Sequence, residues 1–240
     1  MKTLRYWEID SLRGIAIIAM IIFHILFALD YFGKYSTGIG SLSWRIIGIL
    51  TASTFLFLVG TSLTLSYSKV KDEPKTGVYK KYIKRGLGIF ALGLAITAIT
   101  YFIIPKEYVM FGILHLIGLS IIFCTPRLKS NFMNLVSGSV LILAGVLLQQ
   151  YRFDFNQLAW LGFIPNGLTT LDYFPILPWL GVVLIGISFG NQAYTNGLRQ
   201  FKLPDLSENK IVKFFCFLGR HSLLIYFLHF PIILSLVYLL

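Results

Sequence analysis

Three of the four histidines in this chain, His24, His115 and His229, fall inside strongly apolar stretches. Ionisable side chains in such stretches are rare and point first to function. His24 is the most informative of them. It follows Arg13 by eleven residues in one apolar run that opens Asp10-Ser11-Leu12-Arg13-Gly14-Ile15. On an α-helix eleven steps make three turns plus about 20°, so the two side chains share a face, roughly 16 Å apart along the axis. A guanidinium at one end attracts anions. An imidazole in apolar surroundings is expected neutral and able to accept a proton. The spacing therefore suits a long anionic donor lying along the stripe, its charged head at Arg13 and its reactive end at His24. Asp10, three residues before Arg13, lies on the same helical face and can orient the guanidinium. The competing readings are a surface ion pair and a packing histidine bonded to a neighbouring helix.

The last apolar run repeats the arrangement. Leu218-Gly219-Arg220-His221-Ser222 places basic residues at its start, and Tyr226 and His229 follow. His229 comes nine residues after Arg220, roughly 13 Å further along a helix. The first and last runs thus each carry a basic rim and a histidine below it.

The elements that must position these residues are membrane helices. With 240 residues, 56% hydrophobic and 13% charged, the chain is too apolar for a soluble domain. Seven spans are expected, over about 12–31, 44–68, 86–104, 109–125, 132–150, 174–191 and 218–239. The fold class expected is an all-α polytopic membrane protein of about seven transmembrane helices or more, one transmembrane domain over 1–240. The first run follows a polar start, is long enough to span and lacks a small-residue cleavage site, so no cleavable signal is expected. Cys124 and Cys216 give neither a disulfide framework nor a metal spacing and read as free structural thiols.

The net charge of +11 raises nucleic acid as a partner, but its distribution argues for a membrane instead. With the N-terminus in the cytoplasm, the inner segments are the N-terminus through Arg13, the 69–85 loop, 126–131 and 192–220. They hold 17 Lys and Arg, against four on the opposite side, namely Lys34, Arg45, Lys106 and Arg152. That is a strong positive-inside asymmetry, and it predicts the N-terminus inside and the C-terminus outside. The 69–85 loop brings Lys80, Lys81, Lys84 and Arg85 close to the third span. These residues either set topology against lipid or attract a phosphorylated cytosolic ligand.

Span two is rich in small and hydroxylated residues, among them Thr51, Ser53, Gly60, Thr61 and Thr64, which suit close helix packing or a polar lining. Span four opens Phe111-Gly112-Ile113-Leu114-His115 and puts His115 in the outer part of the membrane, at a depth within reach of His24. The outer segment 151–173 leads into Asp172-Tyr173-Phe174-Pro175-Ile176-Leu177-Pro178-Trp179, where prolines bend the start of span six. Asp172 beside aromatic rings suits recognition of a sugar or amine, with Tyr173, Trp179 and Tyr226 as further acceptor-binding candidates; an interfacial aromatic belt is the plainer reading.

Two sets of residues carry a resemblance. Arg13 and His24, with ten residues between them, are similar to the Arg-x10-His signature of membrane-integral acyltransferases. The ordered set Ile9 to Gly14, Phe55 to Gly60, Gly112 to Gly118, Asp172 to Pro175 and Leu218 to Tyr226 resembles the catalytic domain of the heparan-alpha-glucosaminide N-acetyltransferase family and its prokaryotic relatives. The resemblance covers nearly the whole chain. It implies a transmembrane acyltransferase that takes an acetyl group from cytosolic acetyl-CoA and moves it to an acceptor, an amino sugar or other glycan, across the membrane. It also implies His24 as the catalytic residue. The animal enzyme has asparagine at the place matching His24 and a histidine in the loop beyond. This chain has no histidine in its 32–43 loop, so its pattern is closer to the Arg-x10-His group.

On this reading Arg13, Arg220, Lys84 and Arg85 bind coenzyme A at the cytoplasmic mouth. His24 acts as general base or as a transient acyl carrier. His229 and His115 orient it or bind acceptor. The partners expected are coenzyme A, an extracytoplasmic sugar or amine, the lipid bilayer of a prokaryotic plasma membrane and, as an option, a second copy in a homodimer. No metal is expected, because the histidines sit on separate spans with no carboxylate beside them at depth. The rival functions are a transporter or lipid flippase that relays protons through its histidines, and a non-catalytic sensor. A transporter of the repeat-built kind predicts paired broken helices in two repeats, which the sequence does not display.

Overall fold

The computed structural model of the chain describes residues 5–70 and 74–239. Lys2 and Lys71, which enter the charge asymmetry above, lie outside the described residues, as do Asp72 and Glu73. The structure is all-helical, with two isolated bridges and no β-strand among the described residues. Its α-helices are α1 (Trp7–Tyr31), α2 (Leu42–Ser68), α3 (Lys75–Ile103), α4 (Ile113–Cys124), α5 (Asn131–Leu148), α6 (Ile176–Ala193), α7 (Lys210–Arg220) and α8 (Ser222–Leu239). Five of them, α1, α2, α3, α5 and α6, are long and apolar enough to cross a membrane. The number becomes six if α7 and α8, bent by 79°, form one broken span, and α4 is a shorter apolar helix.

Two expected boundaries are corrected. The basic stretch before span three is not a loop to Arg85, because α3 already begins at Lys75 behind Pro74. Proline ends what precedes it and suits a helix start, and the lysines, Tyr79 and Arg85 after it accept helix readily. Charge lowers local hydropathy without ending a helix. The second correction concerns the last span. Residues 210–220 form a separate helix, and the chain turns at His221, whose φ of −100° and ψ of 14° leave the helical region. Along α7, Ile211, Phe214, Phe215 and Leu218 recur at helical spacing on one face, while Lys210, Lys213 and Arg220 supply charge. That is the pattern of an amphipathic surface helix rather than of a continuous span.

The chain divides into two compact units. The first comprises Met1–Leu58 with Lys202–Leu240. Within it α1 and α7 touch backbone to backbone. A Cβ added at Gly14 would run into the Phe215 carbonyl, and one added at Gly219 into the Asp10 carbonyl. Glycine at both positions permits this close approach of the two helices. Further along α1, Ala28 packs with Ile233 and Val237 of α8, backed by Ile21 and Leu29.

The second unit is Val59–Phe201. Gly86 and Gly118 bring α3 against α4, and Gly138 and Gly181 bring α5 against α6. The last turns of α2 seat Gly60 under the Val183 carbonyl of α6. The Thr61 hydroxyl donates to the Gly186 carbonyl at 3.1 Å, so Thr61 and Thr64 are buried packing residues here. Leu177 departs from helical geometry at the start of α6, where Pro175 and Pro178 sit.

Candidate functional site

Unbroken helix carries the chain from Arg13 to His24 along α1, so the one-face spacing of the sequence is realised in the backbone. The two ends of that stripe meet consecutive helices of the same unit. At Arg13, Nη1 donates to the Gly219 carbonyl at 3.4 Å and lies 3.5 Å from Asp10 Oδ1. The other carboxylate oxygen of Asp10 accepts from Arg220 Nε at 3.2 Å. One carboxylate thus bridges guanidiniums from α1 and α7. Its side chain is only 15% exposed, against 45% for Arg220. The Gly14–Gly219 contact makes this possible, because only backbone-close helices let a side chain as short as aspartate span the gap.

At the other end the His24 ring packs against α8. Its centroid is 4.9 Å from that of His229 and 6.0 Å from that of Phe230, with Phe23 on a further side at 5.9 Å. His24 Nδ1 lies 2.9 Å from the Met20 carbonyl. A carbonyl only accepts, so Nδ1 carries the hydrogen and Nε2 keeps the lone pair. His229 Nδ1 bonds the Tyr226 carbonyl in the same way at 2.5 Å. The His229 Nε2 is buried without a hydrogen-bond partner among the described residues, in a side chain whose residue is 8% exposed. Two imidazoles therefore adjoin, each with its basic nitrogen on the side away from its own backbone. A buried, unpartnered acceptor costs free energy unless something donates to it. The Tyr226 ring lies 5.4 Å from that of His229.

The third apolar histidine is built differently. His115 is 2% exposed and stacked between Phe90 and Phe111, each centroid at 5.3 Å. Its Nδ1 accepts from the Gly112 N–H at 3.1 Å, at the start of α4. The Thr97 hydroxyl gives its proton to the Val109 carbonyl at 2.6 Å, so it accepts from His115 Nε2 at 3.3 Å. Both ring nitrogens are engaged inside the second unit, and the tautomer is the reverse of that at His24. Asp172 belongs to the same junction. Its Oδ2 accepts from the Ile113 N–H at 3.0 Å, an anion at the N-terminus of α4 where the helix dipole favours it. Phe174 N–H donates to the Phe111 carbonyl at 2.8 Å, tying the end of the 151–173 segment to the start of α4. The Tyr173 hydroxyl donates to the Ala159 carbonyl at 2.7 Å, and burial pushes its phenol up to about 12. Trp179 is half-buried against Phe174, with centroids 4.9 Å apart. Lys84 and Arg85 are exposed on α3.

The structure thus brings Asp10, Arg13 and Arg220 into one cluster and His24, His229 and Tyr226 into another, both in the first unit. His115, Asp172, Tyr173 and Trp179 hold the second unit's junction between α4 and the 151–173 segment. Sequence reasoning missed Gly219 and Thr97. The small residue beside Arg220 and the amphipathic period of 210–220 carried the signal for the first. Nothing local singled out the second. Among the described residues no group of three or more His, Cys, Asp or Glu side chains is placed to hold a metal ion.

Residues 5–231 match the family described as heparan-alpha-glucosaminide N-acetyltransferase, catalytic. No curated protein and no solved structure matches the chain. The family match spans nearly the whole length, over helices apolar enough to cross a bilayer. The chain belongs to the heparan-alpha-glucosaminide N-acetyltransferase catalytic family and is an integral membrane protein of the acetyltransferase class.

Proposed function

We propose that the protein moves an acetyl group from cytosolic acetyl-CoA to an extracytoplasmic amine or hydroxyl acceptor, an amino sugar or other glycan, with His24 as the general base. The observation that carries this reading is the stripe on α1, with a two-arginine cluster at one end and a histidine pair at the other. We take the chain to cross the membrane seven times, N-terminus inside, because the positive-inside asymmetry is large. The setting is the plasma membrane of a prokaryote.

In this account Arg13 and Arg220 receive the phosphates of coenzyme A. Asp10 holds the two guanidiniums apart in a fixed geometry and is a positioning residue. Bidentate arginine donors suit phosphate better than lysine does. Lys84 and Arg85 add to the positive potential that draws a polyanion to the cytoplasmic face. The pantetheine arm follows α1 and delivers the thioester carbonyl to His24. The acceptor nitrogen or oxygen attacks that carbon as its proton passes to His24 Nε2. The carbon–sulfur bond then breaks, and the thiolate takes the proton back, so product and coenzyme A leave with the ring restored. Base catalysis of this kind contributes typically about 10²- to 10⁴-fold, and positioning of both substrates supplies much of the remainder. His229 offers a second lone pair to the acceptor, and Tyr226 packs beside it. His115, Asp172, Tyr173 and Trp179 fix the α4 junction of the outer segment that handles the acceptor.

The test is purified protein with radiolabelled acetyl-CoA and a panel of amino sugars, wild type beside His24→Ala. Label transfer by the wild type alone supports the assignment, and equal transfer by both removes His24 from the mechanism.

A further inference from the structure

In the second unit a small cavity opens where α2 ends, α3 begins and the chain turns after α4. Its volume is about 140 Å³, and Tyr67, Lys75, Tyr79, Thr125 and Lys129 help to line it. The size suits one phosphate group. Lys129 Nζ stands 5.6 Å from the centroid of the Tyr67 ring, within cation–π range, which keeps the ammonium over the cavity. Neither Lys75 nor Lys129 is paired with a carboxylate among the described residues. Two cations beside a phosphate-sized cavity call for an anion.

Tyr79 also lines a shallow groove on the outer face of α3 with Ile83, Leu87, Lys80 and Lys84. Tyr79, Ile83 and Leu87 recur every four residues and are 36%, 40% and 54% exposed. They form an apolar strip of roughly 12 Å running from the cavity toward the middle of the helix. A soluble anion would satisfy the lysines and leave this strip unexplained. A phospholipid accounts for both, with its headgroup phosphate in the cavity and an acyl chain along the strip.

We propose that the start of α3 holds an anionic phospholipid of the inner leaflet, its phosphate between Lys75 and Lys129 and a chain against Tyr79, Ile83 and Leu87. The leaflet rests on the topology given under Proposed function, and the site itself is independent of the acetyl-transfer reading. A phosphatidylglycerol headgroup fits the charge, whereas the choline of a zwitterionic lipid would place a third cation near the two lysines.

Native mass spectrometry of the full chain in detergent tests this, with phosphatidylglycerol and phosphatidylcholine added at equal concentration. Wild type is expected to retain phosphatidylglycerol selectively. Each juxtamembrane lysine strengthens such attraction about fivefold, so Lys75→Gln with Lys129→Gln should cut retention about thirtyfold. Both side chains are exposed, so the fold should survive, and each single change, at about fivefold, provides a second reading. Lys75→Arg with Lys129→Arg should keep the lipid. Retention unchanged in the double glutamine variant would overturn the site. So would displacement of the lipid by millimolar inorganic phosphate with no preference for phosphatidylglycerol, which would indicate a soluble anion instead. His24→Ala run in parallel should retain lipid fully, so loss of acetyl transfer and loss of lipid are read separately.

Discussion

Replacing Gly219 with alanine tests whether the arginine cluster depends on backbone contact between α1 and α7. The added methyl would lie against the Asp10 carbonyl, 2.8 Å from the Asp10 carbonyl carbon and 3.1 Å from the Gly14 nitrogen. Non-bonded carbon contacts favour about 3.5–4.0 Å, and backbone on all three counts offers no flexible side-chain end to yield. The helices must therefore separate. Overpacking of this kind costs about 1–3 kcal/mol, which lowers Tm by roughly 2–12 °C in a chain of this size. Separation also stretches the 3.2 Å contact of Arg220 with Asp10 and the 3.4 Å contact of Arg13 with the Gly219 carbonyl. A hydrogen bond to a charged group contributes about 1.5–3 kcal/mol, so losing one should raise KM for acetyl-CoA about tenfold or more. The acceptor KM should change little. Gly88→Ala in α3 is the control, because nothing lies within 4 Å of its added Cβ. Removing backbone freedom there should stabilise by about 0.5–1 kcal/mol. Thermal unfolding and steady-state kinetics on the three proteins decide the matter. Gly219→Ala with wild-type Tm and wild-type KM would refute the reasoning.

Three further outcomes follow from individual side chains. Arg13→Ala should weaken coenzyme A binding in calorimetry while acceptor affinity holds, and unchanged coenzyme A affinity would remove Arg13 from the donor site. Asp172→Ala removes the anion at the start of α4 and should cost about 0.5–2 kcal/mol, read as a lower Tm; full stability would mean the cap is not needed. For Tyr173, burial raises the folded phenol to about 12 from an unfolded value of about 10. Its contribution to stability is complete below pH 10 and is lost as pH rises through about 12. Tyr173→Phe should flatten the alkaline decline in that window, and an identical decline in both proteins would contradict the assignment.

Hydropathy reveals α1, α2, α5 and α6 to within a few residues, since a span must be apolar throughout. The Arg13–His24 stripe was legible for the same reason, because helix period alone fixes which residues share a face. The break at His221 was not. A hydropathy window averages across a bend, and no proline or positive-φ residue marks it. The start of α3 is hidden in the sequence because its charged first turns lower the local hydropathy without ending the helix. His115 and His24 look alike in the sequence, each a lone imidazole in an apolar run. They differ in what surrounds them: Thr97 and Gly112 engage both nitrogens of His115, whereas His24 spends only Nδ1 on its own helix. Those partners lie on another helix or at a helix start, beyond the reach of spacing arguments. The contact of Asp172 with the Ile113 N–H, 59 residues away in sequence, is equally beyond such arguments.

The central claim is that a donor entering from the basic side reaches the His24 ring and gives up its acyl group to an acceptor on the other. Sealed inverted vesicles containing the protein separate the two substrates, with labelled acetyl-CoA outside and glucosamine enclosed. Wild-type protein should accumulate labelled N-acetylglucosamine inside the vesicle, and His24→Ala should accumulate none above the rate without protein. Label appearing only when both substrates share one compartment, or appearing equally with His24→Ala, would contradict the account.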